Sequence, residues 1–180
     1  PGYVAGACPV ALQNTAAYYA TSQVSNSLTG WSNGAEITVD WLATPNWRLQ
    51  LSYSWSRLDM NEYGNAFLQN SARLLEKSTP RHHGSLRSQW NIDNKQQLDL
   101  WLRTSAGFER LDAPYTTTVR VPGYATLDLR YAYRVDKNLE VALIGRNLVG
   151  ARRFEYVSDY LATVSTAMQP SLMLTSRWTF

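Results

Sequence analysis

Long apolar runs are missing from these 180 residues. The longest candidate, Ala5 to Leu12, is short and broken by Pro9, well under the roughly 18 residues a transmembrane helix needs. Helical membrane spans are therefore excluded. Cysteine is almost absent, and Cys8 alone rules out an internal disulfide framework. Ala5-Gly6-Ala7-Cys8 has the look of a lipoprotein cleavage site, but the basic and apolar segments that should precede it are missing, so Cys8 reads as a loop residue. Histidine is confined to His82 and His83. Neighbours on a strand point to opposite faces, so this pair cannot share one ion, and no metal site is expected. Charge is thin at 17% of residues, with a net +3. Its arginines are scattered and form no basic stripe, which excludes nucleic acid as a partner. The chain starts at Pro1, with neither Met nor signal peptide, which reads as processing or as a piece of something longer.

Aromatics are plentiful instead: 7 Trp and 11 Tyr, in a chain whose mean hydropathy is only −0.34. They lie in segments that alternate with period two, the mark of a strand with two unlike faces. Trp47, Leu49, Leu51, Tyr53 and Trp55 share one face; Arg48, Gln50, Ser52, Ser54 and Ser56 share the other. The pattern recurs and predicts seven strands, at about 20–44, 46–58, 80–92, 96–108, 122–135, 138–149 and 170–180. The first is long, and Gly30 and Gly34 suggest a bulge. Ser88 weakens one apolar face, while Trp101 and Ile144 sit out of place on polar ones.

Connections alternate in length. Short turns fall at Thr44-Pro45-Asn46, Asp93-Asn94-Lys95 and Asp136-Lys137, with hairpin chemistry. Long polar loops fall at about 59–79, 109–121 and 150–169. Trp41, Trp47, Trp90, Tyr133 and Trp178 cluster at the short-turn ends with the parity of the apolar faces, as an aromatic girdle would. Trp55 and Phe108 have the parity to begin a second girdle. Trp47 to Trp55 spans roughly 20 Å of height at about 3.3 Å per residue and a tilt near 40°, close to the apolar band of an outer-membrane barrel. The predicted fold is all-β: an antiparallel up-and-down transmembrane β-barrel segment. A soluble sandwich is the alternative, but it has no reason to set aromatics at strand ends. Seven strands is an odd number, which makes 1–19 the remnant of a loop outside the cell and 20–180 the last strands of a larger barrel. Were 20–44 to hold two strands, a complete eight-stranded barrel with a structural or adhesion role would be the alternative.

Several segments resemble a family in its own order. They are Gly34-Ala35-Glu36 within Asn26–Trp41, Ser78-Thr79-Pro80-Arg81-His82, and Val121-Pro122-Gly123-Tyr124 with Leu127-Asp128-Leu129-Arg130. Gly145-Arg146-Asn147-Leu148, Arg152 to Tyr156, and Arg177-Trp178-Thr179-Phe180 follow. Together they resemble the C-terminal barrel portion of a TonB-dependent outer-membrane receptor. The resemblance implies part of a plugged barrel of about 22 strands in the bacterial outer membrane. It also implies import of a siderophore, vitamin B12 or similar chelate, driven by TonB through a plug domain this chain does not contain. Membrane lipid and lipopolysaccharide are the implied surroundings. Leu172, Leu174, Trp178 and Phe180 resemble the signal read by the barrel-assembly machinery. No substrate motif or cofactor carries over. An enzyme is not expected: Ser85, His83 and Asp99 supply the residue types of a hydrolase triad, but such residues belong on any wet barrel face.

Overall fold

The computed structural model describes residues 2–3, 22–23, 26, 28–61, 66–111, 118–150, 152–155, 164 and 166–180. In chain order the elements are β1 (Gly2–Tyr3), β2 (Ser22–Gln23), β3 (Gly30–Thr44), β4 (Trp47–Met60), α1 (Ala66–Lys77), β5 (His82–Asn91), β6 (Gln96–Ser105), β7 (Phe108–Leu111), β8 (Thr118–Val121), β9 (Tyr124–Arg134), β10 (Leu139–Arg146) and β11 (Ser171–Trp178). All seven expected strands are present. They form one antiparallel sheet in the order β11-β10-β9-β6-β5-β4-β3, each strand beside its predecessor apart from the β7–β8 excursion. This is an up-and-down wall.

The alternation seen in the sequence is carried across the sheet by register. One row runs Trp41, Leu49, Ser88, Leu100, Leu129, Gly145, Leu172; the next runs Val39, Leu51, Leu86, Leu102, Leu127. Between and behind them lie the polar rows. No second layer covers the apolar face among the described residues: Leu51, Leu86, Leu102, Leu143 and Leu174 are all exposed, and no large side chain is fully buried. The sandwich alternative, in which Leu49, Leu51, Leu100 and Leu129 would meet inside a core, is therefore wrong. Buried apolar residues are few and small, with Ala132 and Ala142 opposite each other on the polar face.

Asparagine and aspartate chemistry builds the short turns. Asp93 Oδ1 accepts from the backbone N–H of Lys95 (2.7 Å) and Gln96 (2.8 Å), and Asp136 Oδ1 does the same for Asn138 (2.7 Å) and Leu139 (3.0 Å). Such a carboxylate mimics a backbone turn and satisfies donors the reversal would strand. At the third turn, Thr44 Oγ1 donates to Asn46 Oδ1 at 2.7 Å.

Several expectations need correction. The first strand begins at Gly30 and is continuous, and its register slips between Leu42 and Thr44, beside the turn, rather than at Gly30 or Gly34. Residues 30–44 thus supply one strand, and among the described residues β3 and β11 are the edges of a seven-stranded sheet with no eighth strand closing it. β2 pairs with β1 in a separate two-stranded sheet. The 59–79 connection is not a plain loop: it contains α1, whose Glu76 accepts from the backbone N–H of Met60 and whose Lys77 pairs with Glu109 at 3.2 Å. The 109–121 connection is a hairpin, β7 on β8. It continues the β6–β9 pair past a break where Gly107 and Gly123 face each other. A Cβ on either would lie 2.8–2.9 Å from the other's backbone nitrogen, so only glycine permits the approach. Phe108 accordingly leaves the main sheet and sits in β7 opposite Val121. The proposed 1–19 loop remnant lies outside the described residues, Gly2 and Tyr3 apart.

Candidate functional site

The polar face is concave. It encloses a hollow of about 970 Å³ whose lining includes Glu36, His83, Arg87, Trp101, Arg103 and Asn147. Most of its charges are placed by strand parity and spent on neighbouring strands, while Glu36 and Arg146 line it without an ion pair among the described residues. Arg48 on β4 bonds Asp40 on β3 through two donors. Arg87 on β5 grips Asp99 on β6 at 3.1 and 2.7 Å. Arg103 on β6 reaches Asp128 on β9 at 2.6 Å, and Arg130 on β9 reaches Glu140 on β10 at 2.6 Å. Ser52 and Ser85 share a hydroxyl hydrogen bond of 2.9 Å across the β4–β5 seam, where an ion pair is lacking. In Arg48–Asp40 and Arg87–Asp99 the guanidinium meets the carboxylate edge to edge, which fixes register as well as charge, whereas Arg103 and Arg130 reach their carboxylates through one nitrogen each.

Trp101 is accounted for here. Its ring lies with the Arg103 guanidinium carbon 4.5 Å and the Arg87 carbon 6.0 Å from its centroid, a cation–π arrangement that a polar face makes available. Ile144 remains on the polar face, opposite Arg130 and Met173. Ser88, the weak point of an apolar face, accepts from the Trp47 indole N–H at 2.9 Å.

Where β10 ends, Asn147 adopts φ of +54° and is only 5% exposed. Its backbone N–H donates to Asp128 Oδ1 at 2.8 Å, and its Oδ1 accepts from Thr126 Oγ1 at 3.1 Å and from Arg153. Arg153 also donates to Glu155 at 2.7 and 3.0 Å, and its guanidinium carbon lies 4.4 Å from the Tyr124 ring centroid.

The expected girdle residues share the apolar face and are all exposed: Trp41, Trp47, Trp90, Tyr133 and Trp178. Trp47 and Trp90 are directly opposite, with centroids 6.4 Å apart. Leu172, Leu174 and Trp178 lie on the same face of edge strand β11, each more than 70% exposed, and Phe180 follows. Sequence reasoning missed Trp31, an exposed aromatic at the far end of β3 with the same parity. Counting parity upstream of Gly34 would have found it.

The hydrolase residues do not converge. Asp99 is held by Arg87 and Ser85 by Ser52. His82 and His83 face opposite ways: His82 Nδ1 meets Tyr53 OH at 2.7 Å on the apolar side, while His83 lines the hollow. No cluster of three or more potential metal ligands occurs among the described residues.

An open wall with an apolar outside, a wet inside and alternating short and long connections narrows the families sharply. Residues 6–148 match the family model described as TonB dependent receptor-like, beta-barrel. The chain belongs to the TonB-dependent receptor β-barrel family. Among solved structures, it is similar to the pyoverdine outer membrane receptor FpvA from Pseudomonas aeruginosa PAO1, with 16% identity and a TM-score of 0.66 over 83% of this chain and 21% of that one. The ferric-catecholate import receptor Fiu from E. coli K12 gives 20% identity and 0.63, covering 82% and 20%. The ferric yersiniabactin uptake receptor FyuA from Yersinia pestis gives 18% and 0.60, covering 83% and 23%. At these identities the likeness shows the fold. No curated protein matches in sequence. The chain spans about a fifth of the length of the receptors it resembles.

Proposed function

We propose that this TonB-dependent receptor barrel is the last part of the wall of an outer-membrane importer, and that its cargo is a scarce nutrient carried as a chelate, a siderophore before vitamin B12. The observation that carries the reading is the division of one sheet into a lipid-ready face and a wet concave face. FpvA, Fiu and FyuA, as named, handle pyoverdine, ferric catecholate and ferric yersiniabactin.

In this reading Trp41, Trp47, Trp90, Tyr133 and Trp178 lie at the inner headgroup boundary. Leu172, Leu174, Trp178 and Phe180 form the signal for the barrel-assembly machinery. The short turns face the periplasm, and the long connections face lipopolysaccharide and the outside. The edges β3 and β11 pair with further strands, because open edges in lipid leave backbone donors unsatisfied. A plug domain carried elsewhere in the protein contacts TonB. In this reading the activity is transport, and Asp99 and Ser85 serve the wall, held by Arg87 and Ser52.

The test is a strain lacking the gene, grown under iron limitation on a panel of ferric siderophores and, separately, with vitamin B12 as the limiting nutrient. Loss of growth on one chelate, restored by the intact gene and not by one lacking its plug-encoding region, is the expected result. Unchanged uptake of every chelate would overturn the transport reading.

A further inference from the structure

Every arginine lining the hollow but one has its own carboxylate. Arg87 holds Asp99, Arg103 holds Asp128, Arg130 holds Glu140 and Arg153 holds Glu155. The guanidinium of Arg146 lines the same hollow with no ion pair, hydrogen bond or ring contact among the described residues. A missing neighbour does not explain this. Arg146 closes β10, and the strands on both sides of it are present: Ser171 of β11 is its register partner, and on β9 the residue beyond the Gly145–Leu129 pair is Asp128. Asp128 has no charge to spare. Arg103 faces it at 2.6 Å, and its other oxygen accepts the Asn147 backbone N–H at 2.8 Å. Glu36, the other charge lining the hollow without an ion pair, is a different case: β3 is an edge, so a strand beyond it can supply the partner. Along the wall Glu36 lies roughly 24 Å from Arg146, at about 4.8 Å per strand step.

We propose that Arg146 is the residue that receives an anionic oxygen of the cargo chelate, a carboxylate or catecholate, at the mouth of the hollow. The inference rests on the importer reading above and narrows its cargo to chelates that carry negative charge. Arg146 is exposed and ends β10, where the long 150–169 connection begins. It stands seven residues beyond Leu139, roughly 18 Å above the short turn at about 3.3 Å per residue and a tilt near 40°. A guanidinium on a flat surface is screened by water. One on a concave wall whose other arginines are already neutralised keeps its field, and the concavity focuses it. Its planar fork matches the paired oxygens of a carboxylate or a catecholate. Gln169 and Ser171 line the hollow on the chain entering β11 and offer an amide and a hydroxyl to the same ligand. An uncharged chelate gains nothing from the guanidinium.

Binding to the purified full-length receptor, followed by tryptophan fluorescence, tests it. The probes are ferric citrate, an anionic ferric tris-catecholate and a neutral ferric trihydroxamate; the proteins are wild type, Arg146→Gln, Arg146→Lys and Arg134→Gln. Arg134→Gln removes the same charge at the short-turn end of β9, where Arg134 reaches Asn94 O at 3.4 Å. Arg146→Gln should weaken binding of an anionic chelate at least tenfold and leave the neutral one unchanged. Arg146→Lys should restore part of the loss, since an ammonium keeps the charge without the fork. Added salt should weaken the anionic chelate on wild type, and less so on Arg146→Gln. An anionic chelate bound equally by wild type and Arg146→Gln, or weakened as much by Arg134→Gln, would overturn the assignment and leave the importer standing. So would a wild type that took only the neutral chelate. A lower thermal midpoint with equal weakening of every chelate would also overturn it, by showing the guanidinium spent on another part of the protein. Should wild type bind none of the three, the importer reading fails and the assignment falls with it.

Discussion

Leu51→Arg in the full-length receptor is the sharpest test of the two-faced wall. Leu51 lies on the apolar face, four residues from Trp47 and four from Trp55, in a row with Val39, Leu86 and Leu102. Four residues at about 3.3 Å each and a tilt near 40° put it roughly 10 Å above the Trp47 boundary, close to mid-bilayer. A charge there is to cost about 2–4 kcal/mol, against about 0–1 kcal/mol near an interface. Trp47→Arg supplies the interface comparison. Ser52→Arg supplies the wet one, since Ser52 lines the hollow beside Ser85 and the change should stay within about 0.5 kcal/mol. Leu51→Ala separates lost contact from added charge. Reversible urea unfolding in lipid vesicles reads all four. If Leu51→Arg and Ser52→Arg lowered stability equally, the faces would not differ in solvent and the membrane reading would fail.

Removing either partner of the Arg103–Asp128 pair should cost more than half of what removing both costs. A double-mutant cycle with Arg103→Leu and Asp128→Leu should return a coupling of about 1 kcal/mol or more, since the carboxylate is mostly covered; zero coupling would show the pair to be idle. Gly107→Ala should force the two backbones apart at the break below the β7–β8 hairpin and destabilise by about 1–3 kcal/mol, with Gly123→Ala matching it; thermal unfolding of each variant checks this, and a neutral result would refute the close approach. The Asp93 carboxyl is held below the usual carboxylate range, first by the Lys95 backbone N–H and then, against desolvation, by Gln96. A depressed value means the turn's contribution is fully present above the unfolded value of about 3.9 and is lost as pH falls through the folded one. Asp93→Asn should flatten the acid limb of the stability–pH curve; an unchanged limb would place the titration elsewhere.

Strand number, order and face were readable because period-two alternation is a direct record of which side each residue occupies. Boundaries slipped where backbone geometry, not side-chain character, decides. The break at Gly107 and Gly123 depends on two glycines meeting across strands, and sequence shows only that each exists. α1 was missed because its residues sat inside a segment whose polar composition reads as loop, and its anchoring to β4 and β7 is tertiary. The polar face was legible by parity, which placed Arg48, Gln50, Ser52, Ser54 and Ser56 together. Their pairing was not, because it requires the register. Trp101 looked like an error in the pattern until two guanidiniums were found beside it. Asn147 was noticed as part of Gly145-Arg146-Asn147-Leu148, yet nothing local announces a left-handed residue seated by Asp128.

The zipped charges of the concave wall have a bearing on what passes along it. Each guanidinium–carboxylate couple is a dipole, and a dipole's field dies away faster with distance than a lone charge's. Away from Glu36 and Arg146, which line the hollow without an ion pair among the described residues, a charged traveller a few ångströms off such a surface meets little that would seize or repel it. In the importer proposed above, selectivity would then be exercised before the cargo enters, and the barrel interior would serve as a slippery conduit rather than a filter.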